Sequence, residues 1–252
     1  MMPIEREAAV KPEIRIGTSG WNYPHWKGPF YPESLPKSRW LEYYTEHFDT
    51  VELNATFYRM PGESTVERWR AAVPSGFVFA VKGSRTVTHV MRLKDAAESA
   101  TSLCERMSGL GDGLGPILWQ LPPSLQRDDK RLEAFISALP DNVRHTIEFR
   151  HQSWWHPGIY ALLEQHRVAV CLVDVPGFRS PALATTDFVY IRFHGATALY
   201  GGSYATAELA EWASALRGTA GPARSIFAYF NNDSDAHAVA NAMEFRRLLA
   251  SP

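Results

Sequence analysis

The chain has 252 residues, 45% of them hydrophobic and 21% charged, with a formal net charge of -1 and an isoelectric point near 6.8. That supplies apolar surface for one core of single-domain size and gives no global attraction to nucleic acid or acidic membranes, though a local basic patch remains compatible with it. No apolar run approaches the length of a membrane span.

Residues 1–12 alternate charges with small residues and lack an apolar centre, so they are expected to form a flexible leader before a single domain over 13–252. Strand patterns then fall at about 14–18, 50–54, 77–82, 116–121, 145–150, 168–175, 187–194 and 225–231. Helical patterns lie between them at about 38–47, 64–73, 95–107, 129–139, 157–166, 206–216 and 235–249. Only the sixth crossover, 176–186, is too short and broken to assign. Ser64-Thr65-Val66-Glu67 has capping-box spacing, and Asp95 and Asp235 are expected as N-caps. The glycine-rich connection 109–115 reads as a flexible loop entering the fourth strand. Eight strands alternating with helices imply parallel pairing through crossovers, and at this length the expected fold is a single α/β domain, a (β/α)8 TIM-like barrel.

Function in such a barrel is sought at the C-terminal ends of the strands. In the fifth strand, Thr146, Glu148 and Arg150 share one face and Ile147 and Phe149 the other, so a carboxylate and a guanidinium point inward together. A buried charge without a partner costs several kcal/mol or more, so the pair needs either mutual neutralisation or a task. The same parity places Glu52 and Asn54, Lys82, Gln120, Asp174, Arg192 and His194, and Tyr229 and Asn231 at one mouth. Glu148, with Glu52 or Asp174, is the expected acid and base pair, and His194 is the next candidate for proton transfer. Lys82, Arg150 and Arg192 make the mouth locally cationic and favour a carboxylate or phosphate ligand, with Asn54, Gln120, Tyr229 and Asn231 as further binding groups. The aromatic stretch after the first strand and the Trp154-Trp155 pair are expected to wall the mouth, with Trp21 and Trp154 as stacking platforms for a sugar-like ligand. The mouth is expected to be open and hydrated, so that water solvates Arg150 and Glu148→Gln leaves the fold intact while altering ligand binding or turnover.

No cofactor is expected. The nine histidines show neither His-x-His nor His-Glu-x-x-His spacing, so a divalent metal has no support from motif, although a barrel can assemble ligands from separate strands. No G-x-G-x-x-G opens the first helix. Cys104 and Cys171 have no motif spacing and read as packing residues, which fits a reducing, cytoplasmic compartment.

Taken together, Ile16-Gly17-Thr18-Ser19-Gly20-Trp21, residues 51–58 (VELNATFY), Phe79-Ala80-Val81-Lys82-Gly83, Thr88-His89, Gln120-Leu121-Pro122-Pro123, Glu148-Phe149-Arg150, Arg192-Phe193-His194-Gly195 and Tyr229-Phe230-Asn231-Asn232 closely resemble the motifs of the YecE-like family, a domain of unknown function. The likeness runs from Ile14 to Leu249. It implies a TIM-like barrel of the kind compared with the endonuclease-IV and xylose-isomerase group, and it implies no settled reaction. One departure is Ala236-His237, where the family often has Gly-Tyr; His237 is expected as an exposed first-turn helix residue. Three functions are compatible with these residues. The first is an enzyme using acid-base chemistry on a small polar, anionic or sugar-like substrate. The alternatives are a nucleic-acid binding or processing protein, which the near-neutral charge disfavours, and an anion-binding protein without turnover.

Overall fold

A computed structural model describes residues 12–219 and 225–250. Most of the expected leader therefore lies outside the described residues. Eight parallel strands follow in chain order: β1 (Glu13–Thr18), β2 (Thr50–Leu53), β3 (Val78–Lys82), β4 (Leu114–Gln120), β5 (His145–Glu148), β6 (Ala169–Val175), β7 (Phe188–Phe193) and β8 (Ser225–Phe230). They neighbour one another in the order β1-β8-β7-β6-β5-β4-β3-β2, and a Ser19–Glu52 bridge brings the two ends together. The helices are α1 (Trp40–Thr45), α2 (Ala55–Tyr58), α3 (Glu63–Ala71), α4 (Ala97–Met107), α5 (Asp129–Ile136), α6 (Pro157–Gln165), α7 (Thr206–Thr219) and α8 (His237–Ala250). This is the TIM-like α/β barrel that the alternation of strands and helices predicts.

Every expected helix is present, and α2 is an extra single turn at the end of β2. The expected caps are not the ones used. The third helix starts after Gly62 without a side-chain cap, and Asp95 and Asp235 sit at φ 49° and 53°, outside helical geometry. Asp128 and His156 are true caps, accepting from Arg131 N at 3.1 Å and Gly158 N at 3.0 Å. The glycine-rich connection is a 3-10 segment over Ser108–Gly113, with β4 beginning at Leu114. In the sixth crossover a two-residue strand, Phe178–Arg179, folds back antiparallel on β6. There the Ser180 and Thr185 hydroxyls accept from Val173 N and Val170 N, so side chains hold β6 where no helix is available.

Strand parity divides the apolar residues into two shells. Val51, Leu53, Val81, Trp119, Ile147, Leu172, Ile191 and Phe230 face the helices, while Ala80, Leu118, Cys171, Val173, Tyr190, Phe227 and Tyr229 fill the barrel. The seam between β1 and β2 is closed differently from the other strand pairs. The buried Tyr44 hydroxyl accepts from Thr18 N at 3.0 Å and donates to Thr50 O at 3.1 Å. Gly17 makes this possible, since a Cβ there would lie 2.2 Å from Thr50 O. Higher up, Gly20 N donates to Glu52 O at 2.9 Å. Tyr44→Phe should strand a buried donor and a buried acceptor at a cost of about 1–3 kcal/mol. A thermal melt should show a Tm lower by several degrees; an unchanged Tm would mean that water enters the seam.

Candidate active site

The inward faces of the strand ends build a charged floor. Arg192 is fully buried; its Nη2 lies 2.7 Å from Glu52 Oε1 and its Nη1 2.7 Å from Glu148 Oε2. Glu52 also accepts from the Ser19 hydroxyl and from Tyr190 Oη, the latter at 2.6 Å. Gln120 Oε1 accepts from Arg192 Nη1 at 3.3 Å. One layer higher, Arg150 donates through Nε to Glu148 and through Nη2 to His194 Nε2, the second contact at 2.7 Å. The other ring nitrogen, Nδ1, lies 3.2 Å from Asn231 Nδ2, and Nε2 also stands 3.2 Å from Glu148 Oε1, so which ring nitrogen carries the proton is set by these competing neighbours.

Burial and charge act against each other in this layer. Burial alone would push the Glu148 carboxyl up, but the guanidinium groups of Arg150 and Arg192 hold it well below the usual carboxylate range. His194 moves down to about 3, because burial disfavours the imidazolium and the two guanidinium groups add to that. Lys82 moves down to about 8, first through burial and then through the Arg192 charge. Its ammonium rests 4.4 Å from the centre of the Phe57 ring. Across the mouth, burial raises the Asp233 carboxyl. Tyr23, Asn54, Ala55, Tyr58, Lys82, Tyr200, Asn231 and Asp233 enclose a cavity of about 410 Å³ above the floor. Among the described residues, no group of three or more His, Cys, Asp or Glu side chains is placed to hold a metal.

One wall of the cavity is braced from behind. The Asn241 side chain in α8 accepts from Tyr204 N at 3.0 Å and Asn232 Nδ2 at 2.9 Å, and it donates to Tyr204 O at 3.1 Å. Asn232 Nδ2 also donates to Gly202 O at 2.9 Å. The loops after β7 and β8 are thereby tied to each other.

The family model for proteins of unknown function DUF72 matches residues 15–252. The chain belongs to the DUF72 family. It is 31% identical over 146 residues to the UPF0759 protein YecE of Escherichia coli, a match that spans 58% of this chain and 51% of that protein. It is 24% identical to the UPF0759 protein YunF of Bacillus subtilis, covering 94% of both. The crystal structure of a DUF72 family protein from Thermotoga maritima superposes with a TM-score of 0.86 at 30% identity, covering 95% of this chain and all of that one (100%). A DUF72 protein from Enterococcus faecalis shares the fold at 23% identity, with a TM-score of 0.78 and coverage of 96% and 100%.

Within this DUF72 barrel, Glu52, Asn54, Lys82, Gln120, Glu148, Arg150, Arg192, His194 and Asn231 converge at one mouth. Four other expected site residues do not. Asp174 faces the helices, where Oδ2 accepts from Trp212 Nε1 at 2.6 Å and Oδ1 from Tyr204 Oη at 3.2 Å. Both faces of β6 are apolar, so parity had no anchor there. Trp154 is fully buried, stacked on Phe149, with its Nε1 donating to Leu125 O at 2.7 Å. Trp21 packs edge-on against Trp69 of α3 and does not line the cavity. Tyr229 points inward but lies deeper, its hydroxyl 2.6 Å from Thr50 Oγ1 beneath the floor. His237 is half-buried, and the Ala236 before it stands at φ 58°, the left-handed conformation that favours the glycine common in the family.

Ser19, Tyr190, Tyr58 and Asp233 were not expected in the site. Ser19 follows directly from β1 and Tyr190 shares the inward face of Arg192, so strand parity carried a signal for both; the exposure of Tyr58 left none. The mouth also proves less hydrated than expected at its floor, because Glu148 is fully buried between two guanidinium groups. Glu148→Gln should therefore cost about 3–5 kcal/mol by leaving those charges uncompensated, and an unchanged Tm would show that water solvates them.

His194 adds a pH dependence. Its folded value near 3 lies below the ordinary 6.5, so between these values the unfolded chain binds the proton that the folded one refuses, and stability falls as pH falls. The slope approaches about 1.4 kcal/mol per pH unit. In His194→Gln the fall between pH 6.5 and 4.5 should be shallower, with His145 and His89, both also lowered by burial, continuing to contribute. Equal slopes in parent and variant would place the His194 proton elsewhere.

Proposed function

We propose that the mouth is the active site of an enzyme that moves a proton on a small polar substrate carrying a carboxylate or phosphate. The observation that carries this reading is Lys82. It lines the cavity half-buried and makes no ion pair with a described carboxylate, whereas Glu52 and Glu148 are already engaged by arginine. Three cations, Lys82, Arg150 and Arg192, thus stand against two carboxylates at the floor, and the lysine is the charge left for a ligand. Preorganised charge of this kind is effective because it does not reorganise when a substrate charge develops.

The roles follow from the environments. Glu52 and Glu148 position the two arginines, and His194 with Asn231 orients Arg150 from above. Lys82, near 8, is the group suited to exchange a proton near neutral pH, and burial moves the Asp233 carboxyl across the cavity upward from its ordinary value. Asn54 Oδ1 is buried without a partner beside them and can accept from a substrate hydroxyl. A cavity of about 410 Å³ suits a small metabolite better than a polymer. Tyr58 and Tyr200 at the rim offer faces to a sugar ring.

Titration calorimetry with inorganic phosphate tests the reading. Lys82→Met should weaken binding by about tenfold or more, the worth of a charge-assisted hydrogen bond, with little change in Tm because no ion pair is broken. Phosphate affinity unchanged in that variant would overturn it.

A further inference from the structure

The chemistry available at Lys82 goes beyond charge. The chain has six lysines, and of the five that lie among the described residues Lys27, Lys37, Lys94 and Lys130 are exposed. Lys82 alone is withdrawn from solvent, at the C-terminal end of an inward-facing strand, with its amine against the face of Phe57 and no carboxylate to hold its proton. The floor beside it presents Arg150, whose side chain is 12% exposed while that of Arg192 is fully enclosed at 0%. Asp233 stands on the same cavity wall as the Tyr200 loop and carries a carboxyl that burial inclines to keep its proton. A sequestered amine and a carboxyl group line one small cavity, and the Arg150 charge lies close enough beneath it to act on Lys82; these are the parts that amine catalysis on a carbonyl compound needs.

We propose that Lys82 is a nucleophilic lysine that condenses with the carbonyl group of a small oxo acid, with Arg150 receiving the acid's carboxylate. This deepens the reading of the mouth as an enzyme site and rests on it. The amine lone pair forms a bond to the carbonyl carbon, the carbonyl π pair moves to oxygen, and a proton passes from the nitrogen to that oxygen, which returns the lone pair to nitrogen. The carbinolamine then loses its hydroxyl as water with a proton from Asp233, and the nitrogen lone pair closes the C=N bond. Amine, carbonyl compound and one proton thus give an iminium ion and water. The iminium withdraws electrons from the adjacent carbon, so a proton there, or a bond to a leaving group, is labilised without any oxidant. At the value near 8, roughly one tenth of the molecules hold the free amine at pH 7, against less than about a thousandth for an exposed lysine.

The test is reductive trapping on the full-length protein. Glyoxylate with borohydride delivers hydride to the imine carbon and leaves a carboxymethylated lysine, which peptide mass mapping locates. Lys82 should be labelled at least tenfold faster at pH 7 than Lys37 or Lys94, with a rate that rises to half its maximum near pH 8 and falls in the presence of phosphate. Lys82→Arg should lose the adduct yet keep phosphate binding, because the charge is retained. Labelling of Lys82 no faster than that of the exposed lysines overturns the inference. If phosphate binding still weakens in Lys82→Met, the anion-site reading survives that result; if it does not, both fall.

Discussion

A guanidinium enclosed between two carboxylates fixes the upper barrel. Arg192 comes from β7, Glu52 from β2 and Glu148 from β5, so the two contacts of 2.7 Å span the barrel and set its cross-section. Burying three charges costs several kcal/mol each, and the cost is offset only where geometry is close and the remaining lone pairs are occupied. Ser19 and Tyr190 occupy those of Glu52, and Arg150 and His194 surround Glu148. Among the described residues, the Arg192 Nε hydrogen is left without a partner in this cluster. The cluster is also a partition, with Tyr190, Tyr229 and Cys171 in a closely packed lower interior and the open cavity above.

That partition changes which groups are available for chemistry. Residue type points to paired carboxylates as acid and base, and isolated carboxylates in a half-buried mouth would behave so. Here each carboxylate meets a guanidinium at hydrogen-bond distance, and an anion so held is a weak base. On the proposed reading, the groups left for chemistry are therefore Lys82 and Asp233, further out in the mouth. The overall charge of -1 conceals this, because it averages a floor with one surplus cation over the whole surface.

Much of the barrel was legible in the sequence, because eight strand patterns separated by amphipathic stretches leave few alternatives and crossovers of this length permit only parallel pairing. The site was legible wherever a strand carried polar residues on one face alone, as in Glu52 with Asn54, Glu148 with Arg150, and Arg192 with His194. It failed in β6, whose apolar faces give no phase, so Asp174 was turned the wrong way. Trp154 was misplaced for a related reason: a tryptophan in a loop signals burial or display equally, and the acceptor that decided it, Leu125 O, lies 29 residues away. Tyr44 was invisible as a seam residue because its role depends on two strands approaching too unevenly to pair directly. Helix starts failed where left-handed residues, Asp95 and Asp235, make the turn that a cap would otherwise make.

The bracing of one cavity wall has a consequence for ligand traffic. Asn241 and Asn232 tie the loops after β7 and β8 to each other and to α8, so that side cannot swing open without breaking several buried hydrogen bonds together. The opposite side is the single turn α2, whose Tyr58 is 80% exposed and which is pinned to β3 by the Thr56 hydroxyl donating to Lys82 O at 2.6 Å. On the proposed reading of the mouth, entry is therefore asymmetric: the exposed Tyr58 ring stands at the rim of the cavity that holds Lys82, on the side the two asparagines do not tie.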